Sequence, residues 1–324
     1  MCETIAGVVS SLFAKLAPQR PPSFLVSFCN VRDYEKPVLA LVTAHRGKKA
    51  AVRWIQTDGI PPLGGATGLC RWRDLVCVVH QRGLKTPPGF VIVDPRRGFR
   101  VVSRGRLPAG PHSVCVKGDD LYFVVSGRDS IYRARPQGEG WEVARHWTFP
   151  GSSGERDENH LNAVTLIDGR LCISGFGTKA SEQWTSARSG FVYDVDTGRF
   201  VWEGIHHPHS LLAGPDTIWV CESAENVLLS RDGVRVEVPS TYLRGLARVN
   251  GDSYVGSSRR RLVSKSTGAR TGGPPDGPPD GPPDGDYAGN CCVYRIVGDE
   301  RKLELVVDLS EERNEIYDIL PVQV

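Results

Sequence analysis

The sequence has one methionine in 324 residues, no CxxC pair, and no apolar run near the ~20 residues that cross a bilayer. It also lacks a strong charge of either sign. Lys and Arg number 40 against 37 Asp and Glu, a formal net charge of +3. These absences exclude a membrane-spanning helix and remove the electrostatic footprint of a nucleic-acid binder. There is no GxSxG elbow, HExxH helix, Walker loop or GxGxxG turn, and no nucleotide cofactor is expected. What the chain does hold is 36 glycines and 23 prolines. That punctuation breaks it into short segments and favours an all-β chain. A hydrophobic share of 40% is enough for a packed core, so disorder of the whole chain is excluded.

The nine cysteines are an odd number and mostly sit inside apolar runs, as Cys77 and Cys221 do. They read as small buried hydrophobes of a reducing, cytoplasmic protein. Cys291 and Cys292 would face opposite sides of a strand and make a poor metal pair. Residues 4–16 have the apolar character of a signal peptide. Only Met1-Cys2-Glu3 precedes them, without a basic segment, and Lys15 interrupts their end. A short amphipathic helix is expected there, within an N-terminal extension at 1–20, ahead of a single domain at 21–324.

One unit recurs along that domain. A first hairpin appears as HSVCVKGDDLYFVV from residue 112, HLNAVTLIDGRLCI from 160, HSLLAGPDTIWVC from 209 and RGLARVNGDSYV from 244. TGLCRWRDLVCVV from 67 fits less tidily. Each alternates apolar and polar residues around an Asp- or Gly-bearing turn. A second hairpin follows each, such as FVIVDPRRGFRVV from residue 90 and FVYDVDTGRFVW from 191. Four strands per unit, at roughly 35–50 residues per unit, is the pattern of a β-propeller blade. The segment Glu315-Ile-Tyr-Asp-Ile-Leu-Pro-Val reads as a lone first strand, and three strands near 23–30, 38–44 and 51–56 lack one. The expected architecture is therefore a six-bladed propeller closed by its C-terminal strand. A seven-bladed ring is the alternative, but no seventh unit is found. Residues 263–290 interrupt the last full unit between its second and third strands. They contain the repeat GPPDGPPDGPPDG, expected to be a disordered, exposed insertion because Pro and Gly cannot sustain a ladder.

First strands line the channel of a propeller, so residues at their starts meet at one level. Those starts bring together His112-Ser113, His160-Leu161-Asn162, His209-Ser210, Arg244 and Tyr317-Asp318, while Glu222 ends a second strand. His112 and His209 with Glu222 or Asp318 form a two-His, one-carboxylate set suited to Zn, Fe or Ni. A harder set, Asn162, Asp318 and Glu222, suits Ca²⁺ or Mg²⁺. His160 is a further ligand candidate. One divalent metal is the expected cofactor on this reading. Without metal, His112 or His209 would act as general base, held by a carboxylate such as Asp318. Arg244, Ser113, Ser210 and Tyr317 are the candidate substrate contacts. Arg244 would hold a carboxylate or phosphate, or else pair with Asp318 or Glu222. His206 and His207 are expected to face solvent. The triplet Arg259-Arg260-Arg261 reads as a solubility patch, and the acidic loop 155–158 as a solvated charge run that could also offer further ligands beside His160.

The set PHSV, HLNAV, HPHSLL, IWVCES, LRGLARV and EIYDILPV, spread over residues 60–324, resembles a family of bacterial six-bladed propellers without an assigned reaction. More distantly the architecture is similar to the gluconolactonase, paraoxonase and strictosidine-synthase propellers. That resemblance implies lactone hydrolysis or a cyclising step at a channel metal or acidic catalyst. Only Asn162 and Asp318 match the residue types of those metal sites, and His112 and His209 depart from them. The expected function is a small-molecule enzyme of hydrolase, lyase or cyclase type, working at the channel mouth with histidine or metal-bound water. Biosynthesis of a specialised metabolite is a setting compatible with that chemistry. The alternative is a non-catalytic propeller that binds a peptide, glycan or partner protein. A small-molecule substrate is expected; a nucleic acid or membrane partner is not.

Overall fold

The computed structural model describes residues 20–31, 33, 36–56, 64–83, 86–214, 217–262, 287–298 and 301–323. The helix expected at 1–20 and the GPPD repeat lie outside the described residues.

Six antiparallel four-stranded sheets form the ring. The first blade orders Ile316–Val322, Ser23–Phe28, Leu39–Thr43 and Ala51–Trp54 from the axis outward. Its innermost strand comes from the C-terminus and pairs with the N-terminal strand, with Leu25 opposite Leu320 and Val26 opposite Ile319. The innermost strands of the other five blades are Ala66–Trp72, Pro111–Lys117, Leu161–Ile167, Pro208–Ala213 and Leu243–Val249. In the sixth blade the second strand, Asp252–Ser257, and the third, Cys292–Val297, are the ones between which the GPPD repeat falls in sequence. Its flanks form a two-stranded ribbon, Arg260–Arg261 with Tyr287–Ala288.

Both faces of each blade are buried, which explains why middle strands read as unbroken apolar runs. Successive residues on a strand serve different neighbours. Phe24, Val26 and Phe28 pack with Tyr254 and Val293 of the sixth blade. Leu25 and Leu41 pack with Val78 and Val91 of the second. Corresponding clusters fill the remaining junctions around the ring.

Two devices repeat near the axis. The first is a one-residue bulge in every innermost strand. It leaves His112, Asn162, Gly245 and Tyr317 without a cross-strand partner. A bulge re-aims the side chains around it and breaks their alternation. Gly245 sits at φ 75°. A Cβ there would lie 2.9 Å from Ile319 Cγ1, so the close approach of the two inner strands requires glycine.

The second device is a side-chain-to-backbone hydrogen bond across each blade junction. Ser27 Oγ donates to Thr67 O (2.6 Å), Thr67 Oγ1 to Pro111 O (3.2 Å), Ser174 Oγ to Pro208 O (3.4 Å) and Ser223 Oγ to Leu243 O (2.6 Å). Ser258 Oγ donates to Ile316 O (2.8 Å), and Ser113 Oγ accepts the Val164 N–H (3.3 Å). These bonds fix the height of each inner strand against the next. Removing one leaves a buried carbonyl unpaired. Ser223→Ala and Ser258→Ala are each expected to cost about 1–2 kcal/mol. In urea unfolding this appears as a lower midpoint at unchanged slope.

Candidate functional site

The axis holds two cavities. The upper one, about 890 Å³, opens at the rim where the inner strands begin. The lower one is about 380 Å³. Tyr317 lines both and separates them. It is buried, and its hydroxyl has no hydrogen-bond partner among the described residues.

The floor of the upper cavity is organised by Glu315, which is 2% exposed. Its carboxylate accepts from Arg261 Nε and Nη2 (both 2.8 Å), Arg244 Nη1 (2.9 Å), Asn30 Nδ2 (2.9 Å) and Tyr287 OH (3.0 Å). Burial alone would raise its pKa, but the two guanidiniums hold it well below the usual carboxylate range. Arg244 lies over the rings of Tyr242 (4.8 Å) and Tyr317 (5.4 Å), and its Nε is buried without a partner among the described residues. Its counter-ion is therefore Glu315, not the expected Asp318 or Glu222. The triplet Arg259–Arg261 is not a detached surface patch: all three residues line the cavity, and Arg261 forms the bidentate pair.

The histidines divide. His160 lies in the upper wall, with Nδ1 2.8 Å from Asp157 Oδ2. Its ring is enclosed by Phe176 and Trp184 (both 4.6 Å between centroids) and His112 (5.2 Å). His160 and His207 both adopt positive φ (49° and 54°), strain that recurs at functional sites. His112 lines the same cavity, and its Nδ1 donates to Gly110 O (3.1 Å). Burial, with the neighbouring His160 and Arg244, keeps its pKa well below the ordinary value. His206 and His207 do not face solvent as expected. Both wall the upper cavity. His206 Nδ1 meets Glu225 Oε1 at 2.7 Å. His207 stacks on Phe176 at 4.1 Å, with its ring nitrogens near Trp184 O and Tyr242 OH, and burial lowers its pKa to about 4.

The remaining candidates lie elsewhere. His209, Asn162, Ser113, Ser210 and Asp318 line the lower cavity. His209 is buried, donates from Nδ1 to Ser223 Oγ (2.9 Å), and is held neutral by burial and by Arg244. Asn162 Nδ2 donates to His160 O (2.8 Å). Ser210 Oγ accepts the Gly245 N–H (2.8 Å). Asp318 accepts the Leu69 and Ile319 N–H groups (2.8 and 2.9 Å), so it too joins neighbouring blades. Burial raises its pKa to about 7 against those two bonds. Glu222 lines neither cavity: it accepts the His206 N–H (2.9 Å) and pairs with Arg235 (3.6 Å). The six residues proposed as metal ligands are thus divided. Among the described residues no group of three or more His, Cys, Asp or Glu is gathered to hold a metal ion, and no step is derived through one. Glu225, Tyr242 and Trp184 carry no signal in the sequence, whereas Asp157 belongs to the acidic loop that could offer further ligands beside His160. Only the Asp157–His160 spacing of three residues, in the acidic loop, offered a signal.

This geometry allows two tests. Glu315→Gln leaves two guanidiniums in the channel without their carboxylate, and a loss of about 3–5 kcal/mol is expected in denaturant unfolding. Asp318 has the opposite sign. Its folded pKa lies above its unfolded one, so the native state binds the extra proton between about pH 4 and 7. Its contribution is present below that window and is lost as pH rises through it. Asp318→Asn should flatten the stability profile over that range.

No protein-family model matches the sequence, and no curated protein matches it. Solved structures do. A protein of unknown function from Bacteroides caccae superposes with a TM-score of 0.58 at 12% identity, covering 94% of this chain and 100% of its own. The periplasmic gluconolactonase of Pseudomonas aeruginosa gives 0.55 at 12% identity, covering 94% and 99%. A chain of a nidogen/laminin complex gives 0.57 at 10% identity, covering 92% and 97%. At such identities the likeness is one of fold, and this chain is a six-bladed propeller distantly similar to gluconolactonase-like propellers.

Proposed function

We propose that the chain is a hydrolase of small anionic esters or lactones, with its active site in the upper cavity. The observation that carries this reading is the His160–Asp157 pair, 2.8 Å apart in the cavity wall. A carboxylate on Nδ1 fixes the tautomer that leaves Nε2 free to take a proton from water. The anionic preference follows from the lining, where five arginines (188, 244, 259, 260 and 261) stand against Asp157, Glu225 and Glu315. Arg244, held rigid between two tyrosine rings, is the contact for the substrate's anionic group. The same acid–base groups would serve a lyase or cyclase step, but hydrolysis needs only water as co-reactant. The likeness to a gluconolactonase supports lactones as the first substrates to test.

A propeller that bound partners only on its rim would leave the polar groups of its channel bonded to one another. The lower ring is largely bonded in this way, through Ser113, Ser210 and Asp318. The upper cavity is not: Asp157 Oδ1, His206 Nε2, Asn226 Oδ1, Arg244 Nε and Tyr317 OH are buried without partners among the described residues. Such groups in a native protein call for a ligand, ion or water.

The test is turnover of carboxylate-bearing lactones and esters by wild type, His160→Ala and Asp157→Asn. His160→Ala should lose about 10²–10⁴ in kcat/KM with its melting temperature retained, and Asp157→Asn at least about tenfold. Full activity in His160→Ala would rule out this reading.

A further inference from the structure

The upper cavity contains a second imidazole oriented by a carboxylate, and the base just described does not use it. His206 Nδ1 lies 2.7 Å from Glu225 Oε1, and His206 Nε2 is buried with no partner among the described residues. Both residues line the cavity. The backbone also holds them in place: the His206 N–H donates to Glu222 Oε1 (2.9 Å), and the Glu225 N–H to Glu222 O (3.2 Å). Resting on the hydrolytic reading above, we infer that His206, with Glu225, is the general acid that protonates the leaving oxygen.

The surroundings of the two pairs assign the roles. His160 is held by Phe176, Trp184 and His112, whose rings fix the imidazole where it can meet one water. His206 touches one other ring, His207 (4.7 Å), and Glu225 is 46% exposed at the rim. A general acid must regain its proton after each turnover, and the rim pair can take it from solvent. The step balances. The water oxygen bonds to the acyl carbon as its proton moves to His160 Nε2. The bond from the acyl carbon to the leaving oxygen then breaks as that oxygen takes the proton on His206 Nε2. The products are a carboxylic acid and an alcohol, or one hydroxy acid from a lactone. Solvent then resets both imidazoles.

Leaving-group dependence separates this role from a structural one. A nitrophenoxide leaves without protonation, whereas an alkoxide needs it. On a carboxylate-bearing alkyl ester or lactone, His206→Ala should lose about 10²-fold or more in kcat/KM. On the matching nitrophenyl ester it should keep wild-type activity within a few-fold. His160→Ala should lose both. An equal loss on both esters in His206→Ala would make His206 structural, and no loss on either would remove it from the mechanism. Loss confined to His160→Ala would leave the hydrolytic reading standing and overturn this inference alone, whereas wild type inactive on both would overturn the reading beneath it. A substrate-free check uses Glu225, whose pKa the bond from His206 holds below the usual carboxylate range. In carbon-detected NMR titration of the full chain, His206→Ala should move the Glu225 midpoint upward. An unmoved midpoint would show that the pair does not exist in solution.

Discussion

The pairing of Ile316–Val322 with Ser23–Phe28 is the interaction on which the rest of the molecule depends. A blade with two apolar faces is not stable alone. It must be covered on both sides, and a ring satisfies that demand for every blade only when it closes. Here closure joins the two ends of the chain. The strand that closes the ring also carries Tyr317, the partition between the cavities, and Asp318, a bond between blades, with Glu315 just before it. The contacts that complete the fold therefore also build the floor of the candidate site. Damage to this strand would be felt in stability and in the cavity together.

Charge and burial within the channel act differently on its carboxylate and on its buried imidazoles. Glu315 spends its carboxylate on Arg261, Arg244, Asn30 and Tyr287. It is an organising group, with no lone pair left for chemistry. His112, His207 and His209 are pushed toward the neutral form chiefly by burial. The two imidazoles bonded to carboxylates, His160 and His206, stand apart, and they are the pair proposed here for proton transfer.

The blades and their closure were legible because both blade faces are buried and most hairpin turns are marked by Gly or Asp. The level of the polar ring was legible too, since first strands begin there. Which residues share a cavity was not. Each inner strand carries a bulge at this level, and one extra residue shifts the alternation of every residue beyond it. His112 therefore lines the upper cavity while its neighbour Ser113 lines the lower. Asp157, Trp184 and Glu225 come from connections between strands, where no periodicity says where a side chain will point. Arg261 and Tyr287 reach Glu315 from the ribbon at the base of the insertion, a pairing that composition could not foretell.

The central claim is that the upper cavity takes an organic anion beside His160. The most direct measurement follows the histidine ring signals by NMR while the full chain is titrated with a panel of small carboxylates and their neutral amides. The account predicts that carboxylates move the His112 and His160 signals saturably, that their amides do not, and that Arg244→Met abolishes the response. Carboxylates that leave both rings unmoved, or that act equally with Arg244 replaced, would contradict it.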